Sequence, residues 1–128
     1  MADETAKIKV LLIEDDEFMI GLLAHELTKN GFEVVSAKTG TEALPKFKES
    51  NPDIILLDIL LPDKNGFDVL REIRRLPEGA KTPTIVLSNL SEATDLEEAK
   101  RLGAIDYIVK ANQSLAEIVE RVKQGVGK

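Results

Sequence analysis

Four consecutive carboxylates, Glu14-Asp15-Asp16-Glu17, follow the apolar run Val10-Leu11-Leu12-Ile13. Like charges this close repel, so a helix N-terminus or a bound cation must offset them. Asp58 stands in the same relation to Ile54-Ile55-Leu56-Leu57, Ser88 to Ile85-Val86-Leu87, and Lys110 to Tyr107-Ile108-Val109. Glu14, Asp15 and Asp58, with no His or Cys beside them, make a hard, oxygen-only donor set. That suits Mg²⁺, or Mn²⁺ in its place, holding waters and phosphate oxygens alongside one or two carboxylates. Without a cation the three acids raise one another's pKa; with one, all can stay ionised. Lys110 offers a point charge to a phosphate oxygen, and Ser88 a hydrogen bond to another. A carboxylate such as Asp58, next to Mg²⁺, is equipped to form an aspartyl-phosphate.

These side chains converge only if the apolar runs are neighbouring strands. The runs are Val10–Ile13, Val34–Val35, Ile54–Leu57, Ile85–Leu87 and Tyr107–Val109. They are continuous rather than alternating, as in parallel strands covered on both faces. Between them lie segments with helical spacing. Phe18, Leu22, Leu23 and Leu27 form a stripe that stops at Asn30-Gly31, a helix C-terminus signal. Asn65 is an N-cap for a helix carrying Phe67, Leu70 and Ile73 that ends before Pro77. Leu96, Ala99 and Leu102 lead to Gly103, and Ser114 with Glu117 forms a capping box ahead of Leu115, Ile118, Val119 and Val122. The helix expected over 41–49 contains Pro45, which removes a donor and should loosen or kink it near its first turn. Strand and helix alternate five times, which predicts an α/β, doubly wound parallel sheet with right-handed crossovers. In such open sheets ligands sit beyond the carboxyl ends of the strands, where strand order reverses.

The 128 residues fit one domain, read as 1–128 with a core over about 7–125. The absence of Cys excludes disulfides and thiolate chemistry, and a single His excludes sites built from several. Net charge is -6 and the basic residues are scattered, which argues against a direct nucleic-acid partner. The N-terminal MADETAKIK lacks a signal peptide's apolar core, and no stretch is long enough to span a membrane, so the expected location is the cytoplasm.

Taken together, LLIEDD, the segment DIILLDILLPDKNG around Asp58, the SNL beginning at Ser88, and GAIDYIVK resemble a bacterial two-component response-regulator receiver domain of the single-domain, chemotaxis-regulator type. The likeness covers essentially the whole chain. It implies a five-stranded sheet of order 2-1-3-4-5 with five helices. It further implies that Asp58 is the phosphoacceptor, and that Glu14, Asp15 and the backbone carbonyl of Leu60 hold Mg²⁺ with it. Lys110 and Ser88 would contact the phosphoryl group, and Tyr107 would swing inward when Ser88 shifts. Register counted back from Gly31 puts Asp16 and Glu17 at the start of the first helix instead. The implied partners are a sensor histidine kinase or histidine phosphotransfer protein and a downstream protein. The output face would be the fourth helix, fifth strand and fifth helix, in a monomer or a phosphorylation-dependent homodimer.

Each residue also has a plainer reading. Asp58 alone would be a strand-end acid, Ser88 a turn residue and Lys110 a surface lysine, while Tyr107 reads equally as core aromatic or switch. His25 reads as solvated. The chain departs from the family where Lys110-Ala111 replaces the usual Lys-Pro, and a trans bond is expected there. Asn89 stands where the family often has a small residue and is expected to narrow access to Asp58. Leu60 and Leu90 flank the acceptor and are expected to hinder an attacking water. Rival readings are a degenerate receiver-like module that only binds partners, and a haloacid-dehalogenase-type Mg²⁺ hydrolase. The latter needs a second Asp two residues after its nucleophile, where this chain has Leu60. Flavin binding is a third, disfavoured because acids after the first strand would repel the flavin phosphate.

Overall fold

The computed structural model describes residues 7–127. Five parallel strands, β1 (Lys9–Ile13), β2 (Glu33–Ala37), β3 (Ile54–Leu57), β4 (Thr84–Ser88) and β5 (Asp106–Val109), are arranged in the order β2-β1-β3-β4-β5. The helices α1 (Glu17–Lys29), α2 (Gly40–Ser50), α3 (Gly66–Arg74), α4 (Ala93–Arg101) and α5 (Leu115–Gly125) follow the strands in turn. Both the α/β class and the 2-1-3-4-5 order are as expected.

The strands read as continuous apolar runs because successive side chains enter opposite cores. Leu11, Ile13, Ile55, Leu57 and Val86 pack with Ala43 and Phe47 of α2, Val69, Leu70 and Ile73 of α3, and Ala99 of α4. Val10, Leu12, Ile54, Leu56, Ile85, Leu87 and Ile108 pack on the other face with Leu23 and Leu27 of α1 and Ile118, Val119 and Val122 of α5. Each fully buried Leu, Ile or Val contributes about 1.5–3 kcal/mol. A slip of one residue would exchange the two faces, so register is firmly set. Ile13 pairs with Leu57, and Ser88 with Val109. That register carries the residues after each strand to one edge.

Several local expectations hold. Asn65 caps α3 through Phe67 N–H, and Ser114 and Glu117 form the capping box of α5. Gly31 adopts a φ of 92° after the Asn30 C-cap, a left-handed geometry that favours glycine. Others need correction. Phe18 is 75% exposed and Leu22 is also exposed, so the buried face of α1 runs through Leu23 and Leu27 with Met19 and Ile20 beside it. Leu96 is 45% exposed, leaving Ala99 as the buried residue of α4. α2 continues through Pro45, starting one residue earlier and ending one later than expected.

One tie was not legible in the sequence. Asp63, in the loop between β3 and α3, accepts from the N–H groups of Gly40 and Thr41 at 2.7 and 2.8 Å and from the Thr41 hydroxyl. It caps α2 from a distance while Thr39 caps it locally. The Thr41 hydroxyl and the Gly40 N–H lower the Asp63 carboxyl to about 2 from its ordinary 3.8. A depressed folded-state pKa adds stability that is present above the unfolded value and is lost as pH falls through the folded one. Asp63→Asn should therefore lower the melting temperature at neutral pH and shrink the stability change between about pH 4 and pH 2 relative to wild type. Thermal melts of both proteins across that window check it, and superimposable pH profiles would refute it.

Candidate functional site

The two central strands continue their ladders into the acids. Asp58 N–H donates to Ile13 O and Glu14 N–H to Ala37 O, each at 2.9 Å. Glu14 is 1% exposed and Asp58 5%, whereas Asp15 faces solvent. One carboxylate oxygen from each of Glu14, Asp15 and Asp58 lies within 4.8 Å of the others. The run of four acids therefore divides. Asp16 turns away and caps α1, accepting from Phe18 N–H at 3.0 Å, while Glu17 pairs with Lys38.

Lys110 reaches into this cluster from the end of β5. Its Nζ lies 2.7 Å from Asp58 Oδ2 and 2.7 Å from Glu14 Oε1. The first contact is an aligned hydrogen bond; the second is an ion pair that leaves Glu14 Oε1 buried with no hydrogen bond directed at it. Burial raises the Glu14 carboxyl above the usual range, while the nearby Lys110 ammonium and the Asp16 N–H pull it back. Burial alone would lower Lys110, but its contacts with Asp58 and Glu14 outweigh that and hold it above the ordinary lysine value. Peptide bonds among the described residues are all trans, including Lys110-Ala111.

Asp58 Oδ1 accepts from Leu60 N–H at 3.1 Å, a local turn that folds the Leu60 peptide back over the acceptor. The Leu60 side chain points outward, 55% exposed. Ser88 is fully buried at the end of β4, and its hydroxyl accepts from Leu90 N–H at 3.3 Å. Leu90 O in turn accepts the Tyr107 hydroxyl at 2.7 Å. Desolvation pushes that phenol up to about 12, so it stays a donor at any working pH. Asn89 is exposed and its side-chain oxygen accepts from Ala111 N–H at 3.0 Å. That contact directs it to the loop after β5, a role bulk alone did not predict. His25 is exposed on α1.

Glu14, Asp15, Asp58 and Lys110 are thus drawn to one edge, and Ser88, Asn89, Leu90 and Tyr107 form a linked chain from β4 to β5. Sequence reasoning missed Asp63 and Arg74. The Arg74 guanidinium donates to the carbonyls of Gly79, Thr82 and Leu102, joining α3 to the ends of neighbouring segments. Among Arg71, Arg74 and Arg75, nothing in the sequence singles it out.

Comparison with known proteins gives the family. The chain is 41% identical over 106 residues to the chemotaxis protein CheY of Thermotoga maritima, covering 82% of this chain and 87% of that one. It is 34% identical over 121 residues to the chemotaxis protein CheY of Bacillus subtilis, covering 94% and 95%. Its backbone superposes on the chemotaxis protein CheY4 of Vibrio cholerae with a TM-score of 0.87 at 27% identity, covering 93% and 98%. The response regulator receiver domain profile matches residues 10–123, nearly the full span from the start of β1 to the last turn of α5. With that span matched and the acids, the buried serine and the lysine gathered where β1, β3, β4 and β5 end, the chain belongs to the response regulator receiver domains.

Proposed function

We propose that Asp58 accepts a phosphoryl group from a phosphohistidine, carried by a sensor histidine kinase or a histidine phosphotransfer protein. The observation that supports this most is the pairing of buried Asp58 with Lys110 at 2.7 Å, beside a second buried acid. An Asp58 oxygen attacks phosphorus, the P–N bond breaks, and the imidazole keeps the electron pair. Lys110 would follow the new charge onto a phosphoryl oxygen, and the Ser88 hydroxyl would donate to another.

The donor set fits a divalent cation. All the oxygens are hard, and one from each of Glu14, Asp15 and Asp58 lies within 4.8 Å of the others. Glu14, Asp15 and Asp58, with the Leu60 backbone carbonyl, would hold Mg²⁺, or Mn²⁺ in its place. Bound there, it would offset phosphoryl charge.

The readout is a change of shape at α4, β5 and α5. Ser88 movement would pass through Leu90 to Tyr107, whose hydroxyl is already tied to Leu90 O. Tyr107 borders a groove with Leu96, Ala99, Ala104 and Ile105, of which Leu96 and Ile105 are exposed. A downstream protein, or a second phosphorylated copy, would bind there. Residues 1–128 are read as one receiver domain, core about 7–125, at work in the cytoplasm. Among the described residues no helix is long and apolar enough to cross a membrane.

Intact-protein mass after incubation with a small phosphodonor, with and without Mg²⁺, tests the proposal on wild type and Asp58→Ala. A single Mg²⁺-dependent adduct that vanishes in the variant supports it. An adduct retained in Asp58→Ala, or none in wild type, overturns it.

Leu60 and Leu90 then bear on how long the phosphoryl group lasts. Neither side chain can orient a hydrolytic water. Leu60→Asn and Leu90→Glu should each speed loss of the group by roughly tenfold, the effect of one added hydrogen bond in the transition state. Following the adduct mass over time after donor removal measures this, and unchanged lifetimes in both variants would rule it out.

A further inference from the structure

The residues after β4 are stitched to β5 and the turn that follows it by two hydrogen bonds. Leu90 O takes the Tyr107 hydroxyl near the start of β5, and Asn89 Oδ1 takes the Ala111 N–H just past its end. Ala111 is the residue after Lys110, in the short 3-10 turn Lys110–Asn112. A proline there would carry no N–H to bond. Here the N–H exists, and the side chain next to Ser88 receives it.

We propose that Asn89 is a positioning residue. Through the Ala111 amide it fixes the backbone that presents Lys110, so that Lys110 and Ser88 are held and displaced as one unit. This rests on the reading of Asp58 as phosphoacceptor. A shift of Ser88 toward a phosphoryl group drags Asn89, its immediate neighbour, and so pulls the Lys110 turn in the same direction. The alternative role for Asn89, a bulky gate over Asp58, makes the opposite prediction for its removal. A gate that is cut back speeds phosphorylation; a clasp that is cut slows it.

The experiment uses the full chain with acetyl phosphate as donor and Mg²⁺ present, comparing Asn89→Ala, Asn89→Leu and Asn89→Asp. Leu keeps the bulk without the acceptor, and Asp keeps the acceptor and the shape. Maximal phosphorylation rate should fall about fivefold in the Ala and Leu variants, the scale of one hydrogen bond, and stay near wild type in Asp. Charge repulsion between Asp and the anionic donor would show in the half-saturating donor concentration, separate from the maximal rate. Independently of phosphate, amide hydrogen exchange at Ala111 should quicken in Ala and Leu and not in Asp.

Faster phosphorylation in Asn89→Ala with no gain in Asn89→Leu would overturn the clasp in favour of the gate. Unchanged Ala111 exchange in all three variants would overturn it too. Wild type that takes no phosphoryl group brings down the Asp58 reading and this proposal with it, whereas normal wild-type phosphorylation with an unaffected Asn89→Ala removes this proposal alone.

Discussion

Lys110→Met should cut the rate of Asp58 phosphorylation by a small donor about 100-fold or more, on the scale of losing one preorganised charge partner. The same change should destabilise the fold at neutral pH by about 2–3 kcal/mol when no divalent cation is present, the range for a hydrogen bond to a charged group. The ammonium lies 2.7 Å from both Glu14 and Asp58, and its removal leaves two buried acids facing each other. The loss stays below that of a sealed ion pair for two reasons. Asp58 keeps its bond from Leu60 N–H, and Asp15 opens the cluster to water. Mg²⁺ should therefore stabilise Lys110→Met more than it stabilises wild type, because it restores positive charge to a site that has lost its own. A cation at a hundred times its dissociation constant adds about 2.7 kcal/mol. Lys110→Arg should recover stability better than rate, since a planar guanidinium keeps the charge but not the compact geometry. Urea unfolding with and without Mg²⁺, beside the phosphorylation time course, measures all of this. Wild-type rate in Lys110→Met would remove Lys110 from the site.

How much of this could be read from the sequence depends on how local the cause was. Each chemistry-bearing residue directly follows an apolar run, so a parallel sheet with aligned register was enough to gather Glu14, Asp58, Ser88 and Lys110 at one edge. The caps at Asn65 and Ser114 were legible because their partners lie two or three residues away. The phase of α1 was not. Phe18, Met19, Ile20, Leu22 and Leu23 offer apolar groups around most of the helix, and only contact with the sheet selects Leu23 and Leu27. The long-range ties were hidden for a related reason. Asp63 reaches back to Gly40, Arg74 reaches on to Leu102, and Asn89 reaches on to Ala111, and a polar residue's partner so far along the chain leaves no mark on the local pattern. Asn89 was read by its size because its neighbour in space was unknown.

Gly66→Ala should destabilise the fold by about 2–3 kcal/mol and slow phosphorylation as well, although Gly66 touches no phosphoryl group. A Cβ added at Gly66 would overlap the backbone carbonyl of Asp58 and lie 2.7 Å from Ile59 Cα. Neither atom can step aside without moving the acceptor. Gly66 N–H also bonds Ile59 O at 2.8 Å, which holds the start of α3 against the end of β3. Overpacking against rigid backbone costs about 1–3 kcal/mol, and the upper part applies where both the strand exit and a helix start must shift. Gly40 supplies the comparison. A Cβ there would overlap Lys64 Cγ and lie 2.8 Å from Lys64 Cδ. Lys64 can swing outward only by moving its stem and giving up its ion pair with Glu72, and the buried Val69 Cγ2, 3.1 Å away, must give by a few tenths of an ångström. Gly40→Ala should therefore cost about 1 kcal/mol, the low end of overpacking, and phosphorylate normally. Chemical denaturation and adduct formation on the two variants separate backbone conflict from side-chain conflict. Equal losses in both would mean that the loop after Asp58 yields as readily as a lysine does, and that Gly66 has no part in placing the acceptor.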